Sequence, residues 1–411
     1  MRLLNNIPRF ALYTLLIFTP LPLGSVQGWA ITVIHWVTLI ALTIFLLEKS
    51  LTWNWKSIKI PHCIPIISLL LFCSISFFYS INFYISFWAM ALFLNYLVIF
   101  YLIICTVQTR AQFRQLVYLI VGIAAFLSVF GLFKWAGANP FPWWEYDLGY
   151  SKDMLSATYG NHNHFAGYME MAIPMTLGLF LTGLKKGRLL FLIVLTFTLF
   201  SALILSLSRG GWIGAFAGLL FFVIVLLFNR HLNKKKLLSI LAIGFVVVVA
   251  IVLSSTPIVD RILTFEQKSE IPNFRARAIV WKGVVQAIKK HPSLGTGPGT
   301  FATIFTQYQP PGSSARYFFA HNDYLHFAAE LGLPIIAIII WMAVIIYKKG
   351  FSKLQNPSRL VRGVTLGAMS GITAILVHSI VDFNLHIPAN ALLFTVLTAI
   401  VIAPVPTYNQ N

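Results

Sequence analysis

Residues 203–216, LILSLSRGGWIGAF, decide how the rest of the chain is read. Around them an apolar run covers 189–228, and its one charged residue is Arg209. A membrane-crossing helix takes about 20 mostly apolar residues, so the run holds two of them. An arginine left in hydrocarbon costs roughly 2.5–3.5 kcal/mol. SRGG therefore belongs at the tip of a helical hairpin, with Gly210 and Gly211 allowing close backbone approach. Two readings of Arg209 follow. Its side chain snorkels to lipid headgroups, or it is a fixed cation suited to a phosphate that a lipid carries in the outer leaflet.

The same arithmetic extends along the chain. Of 411 residues, 58% are hydrophobic and only 10% charged, against about 25% charged in soluble domains. Apolar segments fall at 10–25, 29–47, 63–80, 83–105, 115–136, 165–184, 189–207, 211–228, 237–255, 325–346, 363–382 and 388–405. The run from Phe10 reads as a first span rather than a cleaved signal, because TPLPLGSVQGWA offers no convincing small-residue cleavage site. The expected fold is an all-α polytopic membrane protein, a single domain over 1–411 with about twelve transmembrane helices. Cys63, Cys73 and Cys105 lie in or beside early spans without metal-ligand spacing and read as packing residues.

The net charge of +19 is a topology signal. Six regions lie on alternate connections: Arg2/Arg9, Lys49/Lys56/Lys59, Arg110/Arg114, KKGR at 185–188, NRHLNKKK at 229–236, and Lys348 to Arg362. They hold 19 of the 30 basic residues but only one acid, Glu48. The positive-inside rule puts both termini and these regions in the cytoplasm. It also removes nucleic acid as the default partner. The longest outer connection is then 256–324, between spans nine and ten.

That connection carries most of the candidate chemistry. RARAIVWKGVVQAIKKH has Ile279, Val280, Val284, Ala287 and Ile288 at helical spacing, and PSLGTGPGTF breaks it. Arg275 and Arg277 read either as anion ligands or as a solvated charged face. GTGPG resembles a phosphate-cradling loop but lacks the strand and the Lys-Ser/Thr ending of one. In FFAHNDYLHFAAELGLP, Asp323, His326 and Glu330 share a helix face, with His321 and Asn322 just before it. Their spacing matches no established metal set, and no metal is expected. His162, His164 and Glu170 in YGNHNHFAGYMEMAIP form a second polar cluster of structural or substrate-contacting character. HSIVDFNLH adds Asp382 and His386.

Together, SRGGW, RARAIVW with HPSLGTGPGTF, and AHNDYLHFAAELG resemble the bacterial O-antigen ligase and polymerase family over roughly 160–340. The resemblance implies a glycosyltransferase of the inner membrane that needs no metal and no cofactor. Such an enzyme takes a glycan from undecaprenyl pyrophosphate on the periplasmic face and passes it to a hydroxyl. That acceptor is lipid A-core in a ligase, another lipid-linked repeat in a polymerase, or a protein side chain in a protein ligase. The family's motif arginines fall on Arg209 and Arg277, with Arg275 adjacent, and its motif histidine on His321. Asn322 and Asp323 are expected to contact substrate. The chemistry fits these residues. A lipid pyrophosphate leaves as an anion without a proton, so cations must hold it and one base must take the acceptor's proton. An anion transporter is a more distant reading, and would show paired halves and helices broken at mid-membrane.

Overall fold

The computed structural model describes residues 6–53, 55, 63–141, 153–229, 231–232, 271–309 and 316–407. The side chains of Cys63 and of 271–276, Arg275 included, lie outside that description, as do the expected span 237–255 and parts of the 256–324 connection. Among the described residues the fold is all-helical: α1 (Ile7–Phe18), α2 (Gly28–Thr52), α3 (Cys63–Phe78), α4 (Phe83–Thr106), α5 (Arg110–Trp135), α6 (His162–Phe180), α7 (Lys186–Leu205), α8 (Arg209–Phe228), α9 (Ile271–Lys290), α10 (Phe301–Ile304), α11 (Asp323–Leu331), α12 (Pro334–Lys353), α13 (Arg359–His378) and α14 (Pro388–Ile402). Seven of these, α2, α4, α5, α7, α8, α12 and α13, are long and apolar enough to cross a membrane. The apolar helices α1 and α14 are shorter, as is 64–78 within α3.

Helix ends follow local chemistry. Asn82, Thr109, Asn161, Ser208, Asn322 and Ser358 each cap a helix by accepting a backbone N–H, and Thr109 completes a capping box with Gln112. One end of the bundle gathers Lys49, Arg110, Lys186 and Arg359, and there Thr109 pairs with Thr407. The other end gathers the starts of α6, α8 and α14 with the finish of α13.

The centre is α6, buried from His164 to Leu179 and flanked by α8 and α13. Two glycine ladders set this packing. On α13, a Cβ at Gly363, Gly367 or Gly371 would meet the α6 backbone at Gly178, Pro174 or Met171. On α8, Gly211 faces Ala166, Gly214 faces Glu170 and Ala374, and Gly218 faces Ser370. Helices in lipid associate by close contact rather than by apolar transfer, and small residues four apart provide it.

The segment expected as one span at 325–346 is two helices. α11 ends at Gly332, whose φ of +81° is a conformation only glycine holds cheaply, and Pro334 opens α12. A Cβ on Gly332 would run into the Ser293 carbonyl. Gly332→Ala should therefore destabilise the fold by about 1–3 kcal/mol, read as a lowered melting temperature in detergent. An unchanged melt would show that the corner is not fixed by this residue.

Candidate active site

α9 builds the floor of the polar end. Of the residues expected on its apolar stripe, Val280, Val284, Ala287 and Ile288 are buried, while Ile279 faces outward. Val280, Val284 and Ile288 pack with Phe301, Phe305, Ala320, Ala328 and Ala329 in a small core of their own. The stripe brings Arg277 to the end of α13. There Nη1 donates to the Val381 carbonyl at 2.6 Å, and Nη2 lies 3.9 Å from Asp382 Oδ2.

His321 meets the same aspartate from the other side. Its Nδ1 is 3.8 Å from Asp382 Oδ1, longer than a hydrogen bond, and its side chain is 36% exposed. The His321 backbone holds a φ of +50°, rare for a residue with a side chain. Strain of this kind gathers where a side chain must be aimed. Asp382 is buried and accepts from its neighbour's N–H, Phe383, at 2.9 Å. Burial pushes its carboxyl up, but the facing His321 ring, followed by His164, His378 and Arg277, holds it well below the usual carboxylate range.

Arg209 is the first residue of α8, beside Gly210. The hairpin tip, expected from sequence at SRGG, is Ser206, Leu207 and Ser208, with Leu207 at a φ of +54° and Ser208 accepting from Gly211 N at 3.1 Å. His378 connects the two halves: its ring lies against Gly210, and it heads the turn that carries Asp382. Arg209, Arg277 and His321, far apart in sequence, thus share one end of the bundle.

The other residues singled out build the frame. Asn322 Oδ1 caps α11 by accepting from Leu325 N. Asp323 is fully buried, and its carboxylate accepts from Ser379 Oγ at 2.7 Å, Leu385 N at 3.1 Å and His386 Nδ1 at 2.6 Å. It therefore does not face His321; the acid that does is Asp382. Asp323 is only two residues from His321 in sequence, but the turn after Asn322 points it into the bundle. His162 fastens α6 to the Ser206 carbonyl at 2.7 Å, and His164 packs edge-on against Phe383.

GTGPG holds an anion, but one of the protein's own. Glu330 Oε2 accepts from Gly299 N at 2.8 Å and Oε1 from Phe301 N at 2.9 Å, while the Glu330 carbonyl accepts from Gly297 N. Ser76 and Ser86 tie the same loop to α3 and α4. His326 Nε2 lies 3.1 Å from Glu330 Oε1, and its ring stacks on Phe301. His326, Glu330 and His386 bring three ligand-type atoms within 4.8 Å of one another. Each already has a protein partner, and the two imidazoles lie ring against ring at 4.0 Å. Between this cluster and His321 stand Phe319 and Phe383, stacked at 4.1 Å.

Burial alone would lower the His386 pKa, but the hydrogen bond and charge of Asp323, with Glu330, raise it. The folded state thus favours protonated His386. This stabilisation is complete below an unfolded histidine's pKa of about 6.5 and fades as pH rises through the higher folded value. Wild-type melting temperature should fall over that window, and Asp323→Asn should flatten the fall. Parallel pH profiles of the two proteins would remove the pair from the stability account.

Comparison with known proteins finds two similarities. An uncharacterized protein of Haemophilus influenzae is 22% identical over 276 residues, covering 63% of this chain and 68% of the relative. Residues 191–340 match the family model described as O-Antigen ligase, a stretch that holds Arg209, Arg277 and His321 but leaves His162, Glu170 and Asp382 outside. It is over this stretch that the chain is similar to the O-antigen ligase family.

Proposed function

We propose that this membrane protein transfers a glycan from undecaprenyl pyrophosphate to an acceptor hydroxyl at the periplasmic face of the inner membrane. The observation that carries the reading is the approach of His321 and Arg277 to one buried carboxylate, Asp382, at the bundle end that also bears Arg209. On closing from 3.8 Å, Asp382 takes the Nδ1–H of His321, which leaves Nε2 as the free base. Nε2 removes the acceptor's hydroxyl proton as that oxygen bonds to the anomeric carbon. The bond from that carbon to the pyrophosphate breaks, and its electron pair leaves on the phosphate oxygen. Arg209 and Arg277 hold the departing anion. No step needs a metal. Asn322 and Asp323 serve by fixing the turn on which His321 sits.

Purified protein, given lipid-linked glycan in the presence of a chelator, should glycosylate a hydroxyl acceptor. Lipid A-core, a second lipid-linked repeat and a serine peptide offered in parallel would identify which. A protein that binds donor yet transfers to none of them overturns the proposal. The sidedness is tested separately. Cysteines at the exposed Gln307 and Gln355 should be labelled from outside and from the cytoplasm, respectively. The reverse pattern would put the site on the wrong side for this chemistry.

A further inference from the structure

Glu170 of α6 and His378 of α13 take no part in the steps above, yet they lie in the buried core at 0% and 1% exposure. His378 Nδ1 is 3.0 Å from Glu170 Oε1. Ionisable groups inside a membrane protein are expensive and mark working sites. Surroundings this apolar favour the pair at zero net charge over a bare carboxylate. Two arrangements meet that condition. Either Glu170 is ionised and His378 carries both N–H groups, or the Glu170 O–H donates to Nδ1 and the imidazole's own hydrogen sits on Nε2. In both, Nε2 is a donor.

That donor has no hydrogen-bond partner among the described residues. It lies against Gly210, where it is the atom nearest to the position a Cβ would take. Gly210 is the second residue of the 20-residue helix α8 and follows Arg209. The first N–H groups of a helix have no intrahelical acceptor, and its dipole makes that end attractive to phosphate. A buried, unsatisfied donor aimed at such an end needs an oxygen to accept from it.

We propose that His378, oriented by Glu170, donates from Nε2 to a phosphate oxygen of the lipid pyrophosphate at the first turn of α8. The inference rests on the donor reading above and adds a residue to it. Glu170 acts through His378 and is a positioning residue. By holding the pair neutral it also spares the incoming anion a facing carboxylate charge. The Gly210 hydrogen is what lets the imidazole come this close.

The test uses full-length protein in lipid nanodiscs and equilibrium binding of undecaprenyl pyrophosphate, with undecaprenol and inorganic pyrophosphate as controls. His378→Phe keeps a flat ring without nitrogen and should weaken undecaprenyl pyrophosphate at least about tenfold. His378→Gln, whose amide can donate from near Nε2, should keep most of the affinity. An equal loss for undecaprenol would make the contact one with the lipid chain and overturn the proposal. Inorganic pyrophosphate bound as tightly as the lipid would overturn the lipid assignment. Should His378→Phe not fold with Glu170 left unpaired, ¹⁵N-histidine spectra of wild type read the same contact, with the resonance assigned through His378→Gln. The Nε2 signal shifts on adding undecaprenyl pyrophosphate if the bond forms and stays in place if it does not. The two readings fail differently. Wild type that does not bind undecaprenyl pyrophosphate ends the donor reading. Wild type that binds, Arg209→Ala that does not, and His378→Phe that binds normally end this inference alone.

Discussion

His321→Ala is expected to lower glycan transfer by about 10²- to 10⁴-fold, the usual worth of a general base, while undecaprenyl pyrophosphate still binds. The expectation rests on placement. His321 has a ring 36% exposed beside a buried carboxylate, whereas His326 is enclosed between Phe301, Glu330 and His386. Asp382→Asn should also slow transfer, because an amide can present the wrong atom to Nδ1 and favour the unproductive tautomer. Asp323→Asn should act mainly on stability. Single-turnover assays with saturating donor separate the cases. Near-normal turnover in His321→Ala, with collapse in His326→Ala, would move the base to the enclosed cluster.

Arg209→Lys and Arg277→Lys should each cost about 10- to 100-fold in kcat/KM, in line with losing one charge-assisted hydrogen bond of roughly 1.5–3 kcal/mol. Lysine keeps the positive charge but loses the planar fork that can hold two oxygens. Arg277 also spends one nitrogen on the Val381 carbonyl, so Arg277→Lys should lower the melting temperature as well. If Arg209→Lys transfers glycan at the wild-type rate, Arg209 is a headgroup anchor, the other reading of SRGG.

The seven long apolar helices were legible because lipid selects for run length, which a sequence displays directly. SRGG at a hairpin tip, the α9 stripe and the break after His291 were legible for related reasons. Two features were not. The 325–346 segment looks continuous because Leu331, Leu333 and the isoleucines after Pro334 stay apolar through the corner, which Gly332 and Pro334 alone mark. His378 was passed over because one histidine inside an apolar helix carries no periodic signal. Its partner is 208 positions away, and only packing brings them together. Asp382 was seen but not assigned, since nothing local tells which of two aspartates will turn toward His321. The glycines four apart on α8 and α13 were present in the sequence and would have predicted the close triad with α6.

Phe319 and Phe383 work as a barrier to proton hopping. Hops need a chain of groups that can both give and take a hydrogen bond, and two stacked hydrocarbon rings supply none. In the proposed mechanism, the His321–Asp382 couple gains and loses a proton at each turnover without drawing on the couple formed by His386 and Asp323. One set of acid–base groups is free to cycle while a second, a few ångströms behind it, keeps its charge and holds the scaffold in register.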